Sequence, residues 1–110
     1  MANKHAAETF KGTGVNAGDT LFTTGPVQQH ELFTLMSSAG AVDVWVTLDG
    51  VNFSTAALAL EDQGATANST YVLVTAAGRV YKFWGKYTQI RVKQNGATAA
   101  TATLICGAGA

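Results

Sequence analysis

The sequence is nearly without cysteine and proline, one of each in 110 residues. A lone thiol, Cys106, excludes an intrachain disulfide, so packing and hydrogen bonds must hold the fold. On an apolar C-terminal strand it reads as a small core residue. Charge is equally scarce. Seven Lys and Arg balance seven Asp and Glu, and only 13% of residues are charged, about half the share usual for a soluble domain. A neutral, charge-poor chain lacks the clustered cations that phosphate backbones require, which argues against nucleic acid and equally against anionic membranes. No apolar run approaches the roughly 18 residues of a spanning helix. The opening MANKHAAETF holds no apolar stretch suited to a secretory signal, so the expectation is a protein made in, and remaining in, the cytoplasm.

Reactive constellations are also missing. His5 and His30 are the two histidines. Without HxxH or CxxC, no transition-metal site is expected. His30 reads as a polar residue on a strand face. Asp43 and Asp49 fall at opposite ends of one strand, and Glu61-Asp62 sit side by side in a polar stretch, so neither pair reads as the facing carboxylates of a glycosidase. Asp49-Gly50-Val51-Asn52 has turn character but lacks the ligand run of a calcium loop. Gly12-Thr13-Gly14 is followed by neither a helix nor a P-loop lysine. No catalytic, cofactor or metal residue is nominated, and the expectation is a protein that is not an enzyme.

What is present is a β-domain of small residues. Ala, Gly and Thr supply 46 of the 110 positions, so much of the surface must be made of them, and such surfaces favour association with other proteins. The core is modest for a chain this short, and oligomerisation would supplement it. Ala41 to Leu48 alternates strictly: Val42, Val44, Val46 and Leu48 on one face, Asp43, Trp45 and Thr47 on the other. Tyr87 to Gln94 alternates similarly. Further strands are expected at 7–11, 20–24, 27–36, 71–76, 80–84 and 98–106, with a short strand or a single turn around 56–60. Turns are expected at 13–19, Gly25-Pro26, Asp49-Gly50, Ala77-Gly78 and Asn95-Gly96, the last as a hairpin, and 61–69 reads as a polar loop. This gives an all-β, single-domain β-sandwich, jelly-roll-like, with eight or nine short antiparallel strands. Residues 1–6 form an expected flexible arm, 7–106 the domain and 107–110 a tail. The aromatics Trp45, Phe53, Tyr81, Phe83, Trp84 and Tyr87 divide between core packing and interface anchors, or could form a row on which sugar rings stack. Phe53 is expected as a plug beneath the Asp49-Gly50 turn. The candidate partner contacts are Trp45, Asn52, Phe53, Trp84 and Tyr87.

Three stretches in series carry a resemblance: VDVWVTLDGVNFSTAAL from Val42, VYKFWGKYTQIRVKQNG from Val80, and the closing ATAATATLICG. Together they resemble small all-β virion proteins of tailed bacteriophages, of the decoration, cement or head-fibre kind, over about half of the chain. The resemblance transfers no catalytic residues. It implies a structural protein of the virion, assembled in the host cytoplasm. Such a protein would bind the major capsid protein as a homo-oligomer, with a trimer favoured by the local three-fold positions of a capsid lattice. The alternative it leaves open is a glycan-binding module of a tail or head fibre, which would bring Trp45, Trp84 and Tyr87 together on one exposed patch.

Overall fold

The β-branched alternation that marks Val42 to Thr47 in the sequence becomes the edge strand of a two-sheet sandwich. In a computed structural model, which describes residues 6–65 and 70–107, the strands are β1 (Glu8–Gly14), β2 (Thr20–Thr23), β3 (Leu32–Ala39), β4 (Val42–Thr47), β5 (Leu60–Asp62), β6 (Tyr71–Val72), β7 (Val80–Trp84), β8 (Gln89–Gln94) and β9 (Ala100–Cys106). One sheet runs β1-β9-β3-β7-β5-β6, the other β2-β8-β4. Every pairing is antiparallel. The arm and tail expected from the sequence fall almost wholly outside the described residues.

The pairing is nested, as in a jelly roll: β1 lies against β9, β2 against β8, β3 against β7. Among the described residues, β5 and β6 are the one pair of consecutive strands that are hydrogen-bonded neighbours. The chain otherwise passes back and forth between sheets or skips a strand. Asn95-Gly96 is therefore a crossing from one sheet to the other, not the expected hairpin, because β8 and β9 belong to different sheets.

Between the sheets lie Val42, Val44, Val46, Ile90 and Val92 from the smaller sheet and Phe33, Leu35, Tyr81, Phe83 and Leu104 from the larger, all buried, with Cys106 at the end of β9. Phe33 and Phe83 stack with centroids 5.0 Å apart. The valine face of β4 points inward, as its alternation requires. Leu48 does not continue that face. The strand ends at Thr47, and Leu48 is 73% exposed.

The abundance of small residues has a local cause. At one end, Gly12 and Gly14 of β1 and Ala100 and Ala102 of β9 face inward, and the sheets pinch together. A Cβ on Gly12 would collide with the Leu21 carbonyl, and one on Gly14 would lie 2.8 Å from Gln94 Oε1. Thr13-Gly14 is thus strand, not turn, and β1 runs three residues beyond its expected end at Lys11. Gln94 fills the pinch. Its Nε2 donates to the carbonyls of Val15 and Gly96, and its Oε1 accepts from Ala100 N.

Other expectations are corrected. Residues 27–30 form a turn, closed by His30 N donating to Val27 O at 3.0 Å. His30 is buried there, with Nε2 2.9 Å from Glu8 Oε1, and is not on a strand face. Leu60–Asp62 is a short strand where a polar loop was expected to begin, because it pairs with β6 on one side and β7 on the other, and Asp62 is also paired with Arg79 at 2.9 Å. The expected strand at 71–76 shortens to Tyr71–Val72. Two irregular segments instead seal the outer edge of β4: after β6, Thr75 N donates to Val42 O, and before β5, Leu58 N donates to Val44 O and Ser54 N to Val46 O. An edge strand is thereby closed to further pairing without a neighbouring strand.

Candidate functional site: the Asp49 corner

β4 ends in Thr47-Leu48-Asp49-Gly50, and the chain must reverse there. Gly50 takes φ +81°, a conformation that favours glycine. Asp49 then holds the reversal with its own side chain. Its Oδ1 accepts from Thr47 Oγ1 and from the amides of Val51 and Asn52, all within 3.0 Å, and its Oδ2 accepts from Asn52 Nδ2. These hydrogen bonds, led by the Asn52 amide, hold the carboxyl well below the usual carboxylate range. The anion is committed to the turn, and so is the Asn52 amide that the sequence offered as a contact.

Beyond the turn, Phe53 bridges back to Thr47. Its ring is not a plug in the core. It lies half-buried, with the Arg91 guanidinium 3.8 Å above its centroid, a cation–π contact. Arg91 is fixed from its other side by Nε donating to Thr23 Oγ1. Tyr87 comes from the β7–β8 connection. Its ring packs against Phe33 at 6.0 Å, and its hydroxyl donates to Trp84 O at 3.0 Å. The ring leaves no space for a Cβ on Gly85, which has φ +145°. Burial pushes the Tyr87 phenol up.

The structure brings Asn52, Phe53 and Tyr87 together around one open hollow of about 390 Å³, shared with Leu48, Asp49 and Ser54. Trp84 joins through its backbone bond to Tyr87, with its side chain half exposed. Trp45 lines a separate hollow beside Lys93. The expected row of Trp45, Trp84 and Tyr87 therefore does not form around a single hollow. Sequence reasoning left Leu48, read as part of the inward valine face, and Val51, read as exposed, out of the candidate contacts; they are 73% and 77% exposed. The signal was present, since both flank Asp-Gly, where strand alternation no longer sets which way a side chain points. Among the described residues, no three His, Cys, Asp or Glu side chains group as metal ligands. Chemically, the corner offers apolar area and a rigid backbone rather than a free acid, base or nucleophile.

No protein-family model matches the chain, and no curated protein matches it. Among solved structures, the crystal structure of SPBc2 prophage-derived protein YomS is similar, with a TM-score of 0.67 and 8% sequence identity over 96% of this chain and 98% of that one. At that identity the likeness is one of fold, and it extends over nearly the whole sandwich.

Proposed function

We propose that the protein is a non-catalytic structural component of a phage particle, which decorates or cements the capsid by binding major capsid protein subunits. The observation that carries this reading is the Asp49 corner. Two large aliphatic side chains, Leu48 and Val51, stand exposed on a turn locked by Asp49. Exposed apolar groups on a rigid support suit a binding anchor, because little conformational freedom is lost on contact. The fold shared with a prophage-derived protein, the low charge and the sequence resemblance support the same reading. The protein acts as a homo-oligomer, a trimer at local three-fold positions, and its place is the virion.

The test is co-sedimentation with expanded capsids, alongside mass photometry of the free protein. Leu48→Asp and Val51→Asp should each weaken capsid binding by at least tenfold, since burying an apolar side chain of this size is worth about 1.5–3 kcal/mol. Both should leave the fold intact. A strictly monomeric protein that does not sediment with capsids refutes the proposal.

A further inference from the structure

The second hollow, of about 350 Å³, opens between the outer face of β4–β8 and the 15–19 turn, and contains Gly18, Asp43, Trp45, Lys93 and Asn95. Its parts are fixed in place. Gly18 N donates to Gln94 O at 2.9 Å, and Asp19 Oδ2 accepts from the amides of Val15 and Asn16. Asp43 and Lys93 are directly opposed in the β4–β8 register. Trp45 Nε1 donates to Asp43 Oδ1 at 2.6 Å, and Asn95 Nδ2 donates to Asp43 Oδ2 at 3.0 Å. Lys93 Nζ lies 5.2 Å from the centre of the Trp45 ring. Asp43 is only 8% exposed, an unusual position for a carboxylate on the outer face of a sheet.

We propose that this hollow binds one neutral hexopyranose, as the terminal residue of a glycan. The volume is at the lower end of the roughly 300–1,000 Å³ of small-molecule sites, so it takes a single ring. The indole gives that ring a flat apolar wall, matched by the C–H face of a pyranose. Each Asp43 oxygen has one donor and keeps a further lone pair, so the pair can accept two vicinal hydroxyls. The Asn95 amide oxygen accepts a third. Lys93 has a flexible stem; its ammonium leaves the indole and donates to a ring hydroxyl when the sugar stacks. The opposite charges of Asp43 and Lys93 cancel, which selects a neutral ligand over an anionic one. Acceptors held in advance by the β4–β8 pairing and by the hydrogen bonds of Trp45 and Asn95 to Asp43 reduce the ordering cost of binding. The site is distinct from the Asp49 corner, so its failure would leave capsid attachment standing, and the converse also holds.

The decisive measurement is a ¹H–¹⁵N NMR titration of the full chain with methyl glucoside, galactoside, mannoside and N-acetylglucosaminide. The Trp45 indole signal, assigned by its loss in Trp45→Phe, and the Asn95 side-chain signals should shift saturably with at least one sugar. The expected dissociation constant is about 1–10 mM, the weak range set by the affinity per atom attainable with so small a ligand. The Trp84 indole signal should stay in place. Lys93→Met and Asn95→Ala, with melting curves confirming that they fold, should weaken binding at least fivefold. Linear, unsaturated shifts to roughly 100 mM, ten times the weakest expected constant, would overturn the proposal for all four sugars. Saturable binding unaffected by both substitutions would overturn it too, by placing the sugar elsewhere.

Discussion

Replacing Gln94 by Leu should cost this domain a large part of its stability, although only one side chain changes and its bulk is nearly retained. Gln94 is 1% exposed, at the pinched end where Gly14 and Ala100 meet. Its Oε1 is the acceptor for Ala100 N at 3.2 Å. Ala100 is itself 1% exposed, so that amide would have no route to water. A stranded buried donor costs about 1–3 kcal/mol. Nε2 serves the carbonyls of Val15 and Gly96 at 3.2 and 2.9 Å. Both residues are exposed, and water can replace the lost donor, so these bonds forfeit about 0.5–1 kcal/mol each. The expected loss is about 3 kcal/mol, against a total of about 5–15. At about 4 °C per kcal/mol for a domain of this size, the melting temperature should fall by about 12 °C. Circular dichroism melts at pH 7 provide the reading. Gln63→Ala is the control, because it removes an exposed Gln whose Nε2 reaches the carboxylate and the carbonyl of Glu61 two residues away, and it should melt with the parent. A Gln94→Leu protein that also melts within about 2 °C of the parent would show that packing alone holds the corner.

Val44→Asp should prevent folding, since it places an unpaired charge at a fully buried position at a cost of several kcal/mol; a soluble variant with an unchanged melt would refute the inward assignment of the valine face. Asp49→Ala should raise hydrogen exchange at the Val51 and Asn52 amides, which lose their acceptor, while the global melt changes little. The folded Asp49 carboxyl ionises more readily than an unfolded one, so its stabilisation is present at neutral pH and is lost as pH falls through the acid range; amide exchange in the corner, corrected for intrinsic rate, should therefore rise on acidification in the parent and not in Asp49→Ala. Burial, then the nearby Glu8 charge, pushes the Cys106 thiol from its ordinary 9.0 up to about 12; a thiol reagent at pH 8 should label it only after denaturation. Between those two values the folded chain keeps a proton that the unfolded chain has lost, so stability should decline as pH rises through that window, and less so in Cys106→Ala.

Where the fold could be read in advance, the residues carried their own periodicity. Val42 to Thr47 and Gln89 to Gln94 alternate because each has one face in the core, and Asp49-Gly50 turns because its atoms supply their own partners. The errors arose where distant residues decide. Asn95-Gly96 specifies a reversal but not which sheet receives the chain. Gly14 looks like turn chemistry until Gln94, from another strand, occupies the space its missing side chain leaves. Val27 reads as strand, yet its amide bonds to Thr88 O, and a turn buries it as completely as a strand would. The corner site was partly legible: Asn52, Phe53 and Tyr87 do meet. Trp45 fell elsewhere because its indole donates to Asp43 and lies beside Lys93, which places it in the other hollow.

The nested pairing also sets an order of events in time. Glu8 lies opposite Cys106, and Gly14 opposite Ala100, so β1 leaves the ribosome long before its hydrogen-bonding partner exists. At synthesis rates of about 5–20 residues per second, β1 waits for several seconds. Of the steps between successive strands, only β5 to β6 joins hydrogen-bonded neighbours, which leaves almost nothing local to form early. Folding is therefore expected to begin only after β9 has emerged, and to be slow, because long loops must close before their contacts stabilise anything. During that interval β1 is an unpaired, largely neutral strand. The Lys11 charge on its outward face and the two glycines on its inward face are features that disfavour pairing of such a strand with a neighbouring chain.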